Sequence, residues 1–372
     1  MESFVLIIAA TLGALIGSFT NVLIYRIPIK KSIAFPPSAC PNCSHRLGVL
    51  DLIPIFSWAA LGGKCRYCRN PISSRYPFIE AVSALGYLAI AWKVGLLENP
   101  VLVLGLWVMF TCFLAGSAID FATLELPDSL TIPVIGIGLL VGLLTNTFAA
   151  SLEGALIGAG LISSIIAFGS WVVRHFREPR HPDYPIGFAN IHLAMLVGAW
   201  FGIAAGLIAG LILVVANLMA KKVLPMPDYL TLGGVLVSTI IQASTGTLLP
   251  SLSNALQAAG AMALVAGLYW WSLELRNVPD TSPEIPEEEL DPIAMGFGDV
   301  KLWAAAGAFI GWQGAVFGLA VAVALGAVIG IIHKLRGGES IIPFGPWLAL
   351  GALIAFFTNS APLLEYLNAM GF

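Results

Sequence analysis

Charge is what this sequence lacks most. Only 10% of its 372 residues are Asp, Glu, Lys or Arg, whereas about a quarter of the residues in water-soluble domains are charged. Hydrophobic residues make up 58% of the chain, and its mean hydropathy is +0.90. The shortage of charge excludes an ordinary soluble protein and indicates a chain embedded in lipid.

The chain also lacks a basic stretch before its first apolar segment. Only Met1, Glu2 and Ser3 come before Phe4, and the first Arg and Lys residues follow the segment. A secretory signal peptide begins with positively charged residues. We therefore expect this segment to remain as a membrane helix.

Long apolar runs recur along the whole chain. A run of roughly seventeen residues or more can cross a hydrocarbon core about 30 Å thick. We predict an all-α polytopic membrane protein with about twelve transmembrane helices, of which the sixth and the tenth are short. The predicted spans start near Phe4, Tyr76, Val101, Ser129, Leu152, Phe188, Gly202, Tyr229, Asn254, Asp299, Gly314 and Pro343.

The few basic residues fall on one side of the predicted membrane. With both termini outside, seventeen of the eighteen Lys and Arg residues lie in inside loops or at inside helix ends, and only Lys93 lies outside. The positive-inside rule therefore places the hydrophilic segment 26–75 in the cytoplasm.

Cysteine is scarce, and four of the five cysteines lie in that hydrophilic segment. Two such C-x2-C pairs can supply four thiolates to a tetrahedral zinc ion. Because a reducing cytoplasm disfavours disulfides, we favour zinc over a disulfide pairing. The segment is too short for much of a core, so the metal would contribute much of its folding energy. The predicted ligands are Cys40, Cys43, Cys65 and Cys68.

An internal repeat occupies the middle of the chain. Pro127-Asp128-Ser129-Leu130-Thr131 recurs, with one change, one hundred residues later at 227–231. Gly296-Phe297-Gly298-Asp299 has a weaker counterpart at 187–190, where Asn190 replaces the aspartate. We interpret the inner copy as a duplicated four-helix unit that has lost its acid and serves as structure.

Two aspartates differ from the other acidic residues because they lie in predicted spans. Asp120 ends the third span and Asp299 opens the tenth, so the topology places both at cytoplasmic helix ends. An ionisable residue within a span is costly and is a candidate functional residue. Two adjacent carboxylates share a proton, so one can activate water while the other donates to a peptide carbonyl. Gly296 and Gly298 would let the backbone unwind and approach an extended substrate closely.

The plainer alternative is that each aspartate caps a helix. For Asp128, which lies between Pro127 and an apolar run, we favour the cap.

These features divide the chain into six expected segments. They are a first transmembrane helix at 1–25, a cytoplasmic tetracysteine module at 26–75, transmembrane helices carrying the first candidate aspartate, Asp120, at 76–174, an inserted degenerate repeat of four helices at 175–275, an acidic cytoplasmic linker at 276–295, and the G-x-G-D segment with the last transmembrane helices at 296–372.

The order of these motifs resembles the type IV prepilin peptidases, which are membrane aspartyl proteases of the G-x-G-D type. That family shows an Asp, six residues, Pro-Asp, and later G-x-G-D. Here the same pattern is formed by Asp120, Pro127-Asp128 and Gly296-Phe297-Gly298-Asp299. The segments GSFTNVLIYRIP, RYPFIE and IPFGPWLALG and the tetracysteine loop are also similar to family segments. The resemblance fails across the inserted unit, since the family has fewer helices.

The resemblance implies that Asp120 and Asp299 are the catalytic pair of an aspartyl endopeptidase. Members of the family cut prepilins and pseudopilins after a glycine that ends a short basic leader, at the cytoplasmic membrane face. They often then methylate the new N-terminus with S-adenosylmethionine. We expect the protein in the bacterial cytoplasmic (inner) membrane, with the lipid bilayer and a prepilin or pseudopilin as partners and no nucleic acid.

Two other functions stay open at this point. An ion- or proton-coupled secondary transporter also shows internal repeats, glycine-interrupted spans and intramembrane acids. A G-x-G-D protease with other substrates, such as a preflagellin peptidase or a presenilin-like enzyme, would use the same aspartates. The tetracysteine loop and the acid lost from the repeat argue against the transporter.

Overall fold

A computed structural model describes residues 2–174, 185–224, 226–244, 248–276, 295–337 and 342–358. Within these ranges the protein is all-helical, and its extended pairing is limited to two isolated bridges beside the cysteines. The helices are α1 (Glu2–Arg26), α2 (Phe56–Ala60), α3 (Arg75–Val94), α4 (Pro100–Thr123), α5 (Asp128–Leu144), α6 (Phe148–Arg174), α7 (Phe188–Phe201), α8 (Ile203–Ala220), α9 (Asp228–Ser244), α10 (Leu248–Leu275), α11 (Phe297–Leu335) and α12 (Gly345–Thr358).

Seven of the described helices are long and apolar enough to cross a membrane, namely α1, α3, α4, α6, α8, α10 and α11. The apolar helices α5, α7, α9 and α12 are shorter. These helices confirm an all-helical protein with several membrane-crossing segments. The count of about twelve spans and the side on which the loops lie stay predictions.

The internal repeat is visible in the course of the main chain. α11 is interrupted at Gly311, where φ is 70°, and α7 ends at Phe201, directly before Gly202, where φ is 89°. Each glycine follows the start of its copy of the GF motif, Gly296 or Gly187, by fifteen residues. Positive φ is open to glycine at no steric cost, so both copies break their helix at the same point.

The two copies meet where α6 packs against α10. A β-carbon on Gly160 would overlap the carbonyl oxygen of Leu256, and one on Gly260 would overlap that of Leu156. Gly260 and Leu256 lie one hundred residues after Gly160 and Leu156. The second contact is therefore the first contact with the two copies exchanged. Small residues of this kind let membrane helices approach closely. The copies are therefore related by a local twofold axis between α6 and α10.

Helices α7 to α10 also pack against one another, with α7 in contact with α8, α9 and α10. In the other part of the bundle, α11 packs against α5, α6 and α12. Residues 277–294, which make up most of the predicted acidic linker, lie outside the described residues.

The N-terminal helices bring the cysteine segment to one end of α4. α1 packs against α3, and both contact α4. A small apolar cluster joins them at the end of α4 that carries Asp120, and it contains Leu23, Ile24, Ile79, Ala115, Ile119 and Leu130. Asn21 of α1 donates hydrogen bonds to the carbonyl oxygens of Gly17 and Tyr76 at 3.3 and 3.2 Å. These bonds give Asn21 a role in packing α1 against α3.

Candidate active site

Asp120 lies in the last turn of α4 and is only 6% exposed. The helix ends at Thr123 because Leu124 adopts a left-handed conformation and donates its N–H to the Asp120 carbonyl oxygen at 2.8 Å. The Asp120 carboxylate accepts a hydrogen bond of 2.8 Å from the backbone N–H of Gly345. The first residue of α12 therefore holds this carboxylate in place.

Asp299 lies in the first turn of α11 and is 7% exposed. Its carboxylate accepts a hydrogen bond of 3.0 Å from the backbone N–H of Gly296, which precedes the helix. The free N–H groups at a helix start favour a negative charge there. Gly298 lies within regular helix, so the unwinding expected at this glycine is not found. The main-chain break in α11 comes at Gly311 instead.

Leu126, in the turn between α4 and α5, packs against residues next to both aspartates. A β-carbon on Gly298 would lie 2.7 Å from the β-carbon of Leu126, and one on Gly345 would lie 3.3 Å from a Leu126 methyl group. A β-carbon on Gly345 would also lie 2.8 Å from Asp120 Oδ2, and Gly298 directly precedes Asp299 in α11. The two predicted acids are therefore neighbours, as their positions at helix ends suggested.

The sequence-based interpretation of Asp128 as a helix cap is wrong. Pro127 occupies the cap position of α5, and no side chain caps the helix there. The Asp128 carboxylate instead forms an ion pair with the ammonium group of Lys301, two residues after Asp299. Sequence reasoning missed this pair, although a lysine within a span is as costly as an aspartate and needs a partner, so Lys301 is the signal that could have indicated it.

The inner copy keeps the backbone geometry of the site without its acids. Asn190 accepts a hydrogen bond of 3.0 Å from the N–H of Gly187, as Asp299 does from Gly296. Its amide donates to the carbonyl oxygen of Gly210 at 3.3 Å. Ala220 stands one hundred residues after Asp120. Within the described residues, the inner motif therefore holds a capping amide where the outer motif holds a carboxylate.

The four predicted metal ligands lie together in the segment between α1 and α3. The Sγ atoms of Cys40, Cys43, Cys65 and Cys68 all lie within 4.8 Å of one another, and none of them forms a disulfide. Cys40 Sγ and Cys68 Sγ are 3.9 Å apart. Tetrahedral Zn–S bonds of about 2.3 Å place sulfurs roughly 3.8 Å apart, so the cluster fits a metal ion of this size.

The main chain around the cysteines forms two matching turns. The N–H of Cys40 donates to the His45 carbonyl at 3.0 Å, and the N–H of Cys65 donates to that of Asn70 at 2.9 Å. The backbone N–H groups of Cys43 and Asn42 lower the pKa of the Cys40 thiol to about 7. A lowered thiol pKa favours the thiolate that binds metal.

Two acidic side chains hold the cysteine segment in shape and attach it to the bundle. Asp51 accepts hydrogen bonds from Arg66 Nε at 2.7 Å and from the Tyr67 hydroxyl at 3.0 Å. The bond from Arg66 holds the pKa of Asp51 below its ordinary value. Glu80, buried in α3, accepts a hydrogen bond of 2.7 Å from the N–H of Ile55 just before α2. Sequence reasoning missed Glu80 as an anchor, although it lies in the RYPFIE segment singled out there.

Comparison with known proteins agrees with these observations. The model of the bacterial peptidase A24 N-terminal domain matches residues 11–94, and that of the type IV leader peptidase family matches residues 107–220 and 222–331. The second model therefore matches two successive stretches, each containing one Pro-Asp motif and one Gly-Phe motif. Asp120 falls in the first stretch and Asp299 in the second.

Several curated proteins are similar to the chain. A prepilin leader peptidase/N-methyltransferase of Pectobacterium carotovorum subsp. carotovorum is 34% identical over 215 residues, covering 51% of this chain and 73% of the relative. A protein of the same name from Burkholderia pseudomallei strain 1026b is 36% identical over 219 residues, covering 52% of this chain and 68% of the relative. The type 4 prepilin-like proteins leader peptide-processing enzyme of Escherichia coli O78:H11 is 31% identical over 258 residues, covering 62% and 91%.

No solved structure matches the chain. Neither the matched families nor these relatives favour the transporter alternative. The two family models together match well over half of the chain, in the segments that carry the aspartates and the cysteines. The chain therefore belongs to the type IV leader peptidase family.

Proposed function

We propose that this protein is a membrane-embedded aspartyl endopeptidase that removes the leader of type IV prepilins or pseudopilins at the cytoplasmic membrane face. The single observation that carries the proposal is the placement of Asp120 and Asp299. They are buried neighbours at two helix ends, and each accepts a backbone N–H bond. Two carboxyl groups in such proximity are the reacting pair of aspartic proteases.

The proposed mechanism needs no covalent intermediate. Two adjacent carboxylates cannot both ionise at low cost, so the pair holds one proton. The ionised member accepts a proton from a water molecule that attacks the peptide carbonyl carbon, while the protonated member donates to the carbonyl oxygen. Collapse of the tetrahedral intermediate breaks the C–N bond: the carboxyl group that took the proton from water gives it to the leaving amine, and the other carboxylate takes back the proton from the hydroxyl that becomes the carbonyl oxygen.

The proposed orientation places the pair and the cysteine segment on the cytoplasmic side. The distribution of basic residues supports it, since seventeen of eighteen fall inside when the chain crosses twelve times. A substrate whose apolar helix lies in the bilayer would then present its leader junction at the depth of the two acids. The inserted unit at 175–275 is proposed to serve as structure, which the mutual packing of α7 to α10 supports.

The proposed occupant of the cysteine cluster is zinc, because four thiolates in a tetrahedral arrangement suit that ion. Zinc there would hold the two turns of the segment together and take no part in peptide cleavage.

The proposed second activity is N-methylation of the cleaved product with S-adenosylmethionine, which rests on the names of the relatives. Mass spectrometry of the product N-terminus, with and without S-adenosylmethionine, tests it.

The test of the peptidase is cleavage of a prepilin in membranes by the parent protein and by Asp120→Asn and Asp299→Asn. We expect cleavage by the parent and a loss of at least about a thousandfold in each variant, because a neutral amide can neither accept nor donate the proton that hydrolysis requires. Robust cleavage by either variant would refute the aspartyl mechanism. Absence of cleavage by a folded parent protein would refute the proposed substrate.

A further inference from the structure

Asp128 and Lys301 form a buried ion pair beside the two aspartates. The side chain of Lys301 is 7% exposed and that of Asp128 is 14% exposed. Lys301 also lies with its ammonium group 5.1 Å from the ring centre of Phe297, one helical turn earlier in α11. Its aliphatic chain packs on Gly267 of α10, where a β-carbon would lie 3.3 Å from Lys301 Cδ.

The position of Lys301 on α11 separates it from the reacting pair. Residues two apart in a helix do not face each other, so Lys301 and Asp299 project from different faces. Lysine near a helix start is also unfavourable, because the free N–H groups there carry positive charge. The Asp128 carboxylate offsets this cost, and Asp128 itself lies favourably in the first turn of α5.

The ion pair links the two successive stretches that match the peptidase family. Asp128 belongs to the first stretch, with Asp120, and Lys301 belongs to the second, with Asp299. The turn that carries Leu126 lies between Asp120 and Asp128 and packs on Gly298. Two contacts therefore hold the segment after Asp120 against the start of α11. They are the packing of Leu126 on Gly298 and the ion pair of Asp128 with Lys301.

Stability alone does not account for such a pair. The cost of removing two charges from water largely cancels their attraction, and apolar residues of similar shape often replace buried ion pairs without loss of stability. A pair of this kind can instead fix the register of two elements. Here those elements are the start of α5 and the start of α11.

We propose that the Asp128–Lys301 ion pair positions the reacting acids. By joining the two stretches of the chain that match the peptidase family, it sets the separation of the Asp120 and Asp299 carboxyl groups. The proposal rests on the peptidase function proposed above. Neither residue touches the substrate in this role. Both act through the backbone that carries the reacting acids.

The test compares full-length Lys301→Met, the neutral double variant Asp128→Asn with Lys301→Met, and Lys334→Met as an exposed-lysine control. Thermal melting and the kcat and KM of prepilin cleavage are measured for each. Misplacing a reacting group by about 1 Å costs on the order of a hundredfold in rate. We therefore expect kcat to fall roughly tenfold to a hundredfold in both Lys301 variants, with KM within about twofold of the parent value. Lys334→Met should match the parent.

The double variant separates positioning from stability. It leaves no unpaired buried charge, so it should melt near the parent temperature while its kcat stays low. Parental kcat in the double variant would overturn the proposal, as would a fall in kcat that only follows the folded fraction. Asp120→Asn and Asp299→Asn are included as references. If those two variants cleave the prepilin, the peptidase mechanism itself fails. If they are inactive while the double variant is fully active, only the positioning role is refuted.

Discussion

The backbone N–H of Gly345 donates a hydrogen bond of 2.8 Å to the carboxylate of Asp120, a residue 225 positions earlier in the chain. Space favours glycine at this point, since a β-carbon on Gly345 would lie 2.8 Å from Asp120 Oδ2. The start of α12 thus forms one wall of the proposed site. This accounts for a part of the IPFGPWLALG segment to which the sequence assigned no role.

Replacing Gly345 with alanine should displace the Asp120 carboxylate and lower the rate of prepilin cleavage by about tenfold or more. The thermal stability should change little, because the added methyl group meets side-chain atoms of Asp120 and Leu126, which can move, and not fixed backbone. The matched control is Gly136→Ala in α5, where a β-carbon would meet nothing within 4 Å. Cleavage kinetics and melting of both variants check this, and equal rates for the two would contradict it.

Asn190→Asp should neither raise nor lower the rate of cleavage. The inner copy has Ala220 where a second acid would be needed, so one carboxylate there has no partner for catalysis. The variant should lose about 1–3 kcal/mol of stability, because an ionised aspartate cannot donate the bond that Asn190 gives to Gly210. Cleavage assays with calorimetry measure both effects. A gain of activity in the Asp120→Asn background would show instead that the inner copy retains a working site.

Cys40→Ser and Cys65→Ser should each abolish stoichiometric metal binding by the full-length protein. Each change removes one thiolate from a cluster whose Sγ atoms lie within 4.8 Å of one another. Loss of the metal should open the cysteine segment to proteases, because the metal supplies much of its folding energy. Elemental analysis and limited proteolysis check this. Cys112→Ser in α4 is the control and should keep the full metal content, and retention of metal by both ligand variants would refute the site.

Glu80→Ala should loosen the attachment of the cysteine segment without releasing its metal. The Ile55 N–H then loses the acceptor that lies 2.7 Å away, a change that costs about 1–3 kcal/mol when the group stays buried. Hydrogen exchange at residues 52–60 should rise, while elemental analysis should give an unchanged metal content. Glu98→Ala, at an exposed carboxylate after α3, provides the comparison. Unchanged exchange in the Glu80 variant would mean that other contacts suffice.

The sequence was sufficient to predict an all-helical protein with several membrane-crossing segments and the position of two aspartates at helix ends. Apolar runs mark helices directly, and an acid at the end of a span is conspicuous because it is costly. It was not sufficient for the contacts that complete the site. Gly345 binds Asp120 across 225 residues and Lys301 binds Asp128 across 173, and no local pattern states which helix ends become neighbours.

The same limit applies to Gly298. Two glycines before an aspartate suggested a flexible backbone, whereas Gly298 is small because Leu126 packs against it. Close packing and conformational freedom both select glycine, and only the three-dimensional contact distinguishes them. At Gly311, where φ is positive, the conformational reason does apply.

The exchanged contacts of Gly160 and Gly260 across the α6–α10 interface are those of a symmetric homodimer, in which residue i of one subunit meets residue j of the other and the reverse. In a dimer of identical chains every substitution appears in both subunits. Here both sides belong to one polypeptide, so each can change alone. One copy can therefore carry an acid at Asp299 while the other carries Asn190, as the inner copy does here. A symmetric homodimer could not combine a catalytic half with the supporting half proposed above.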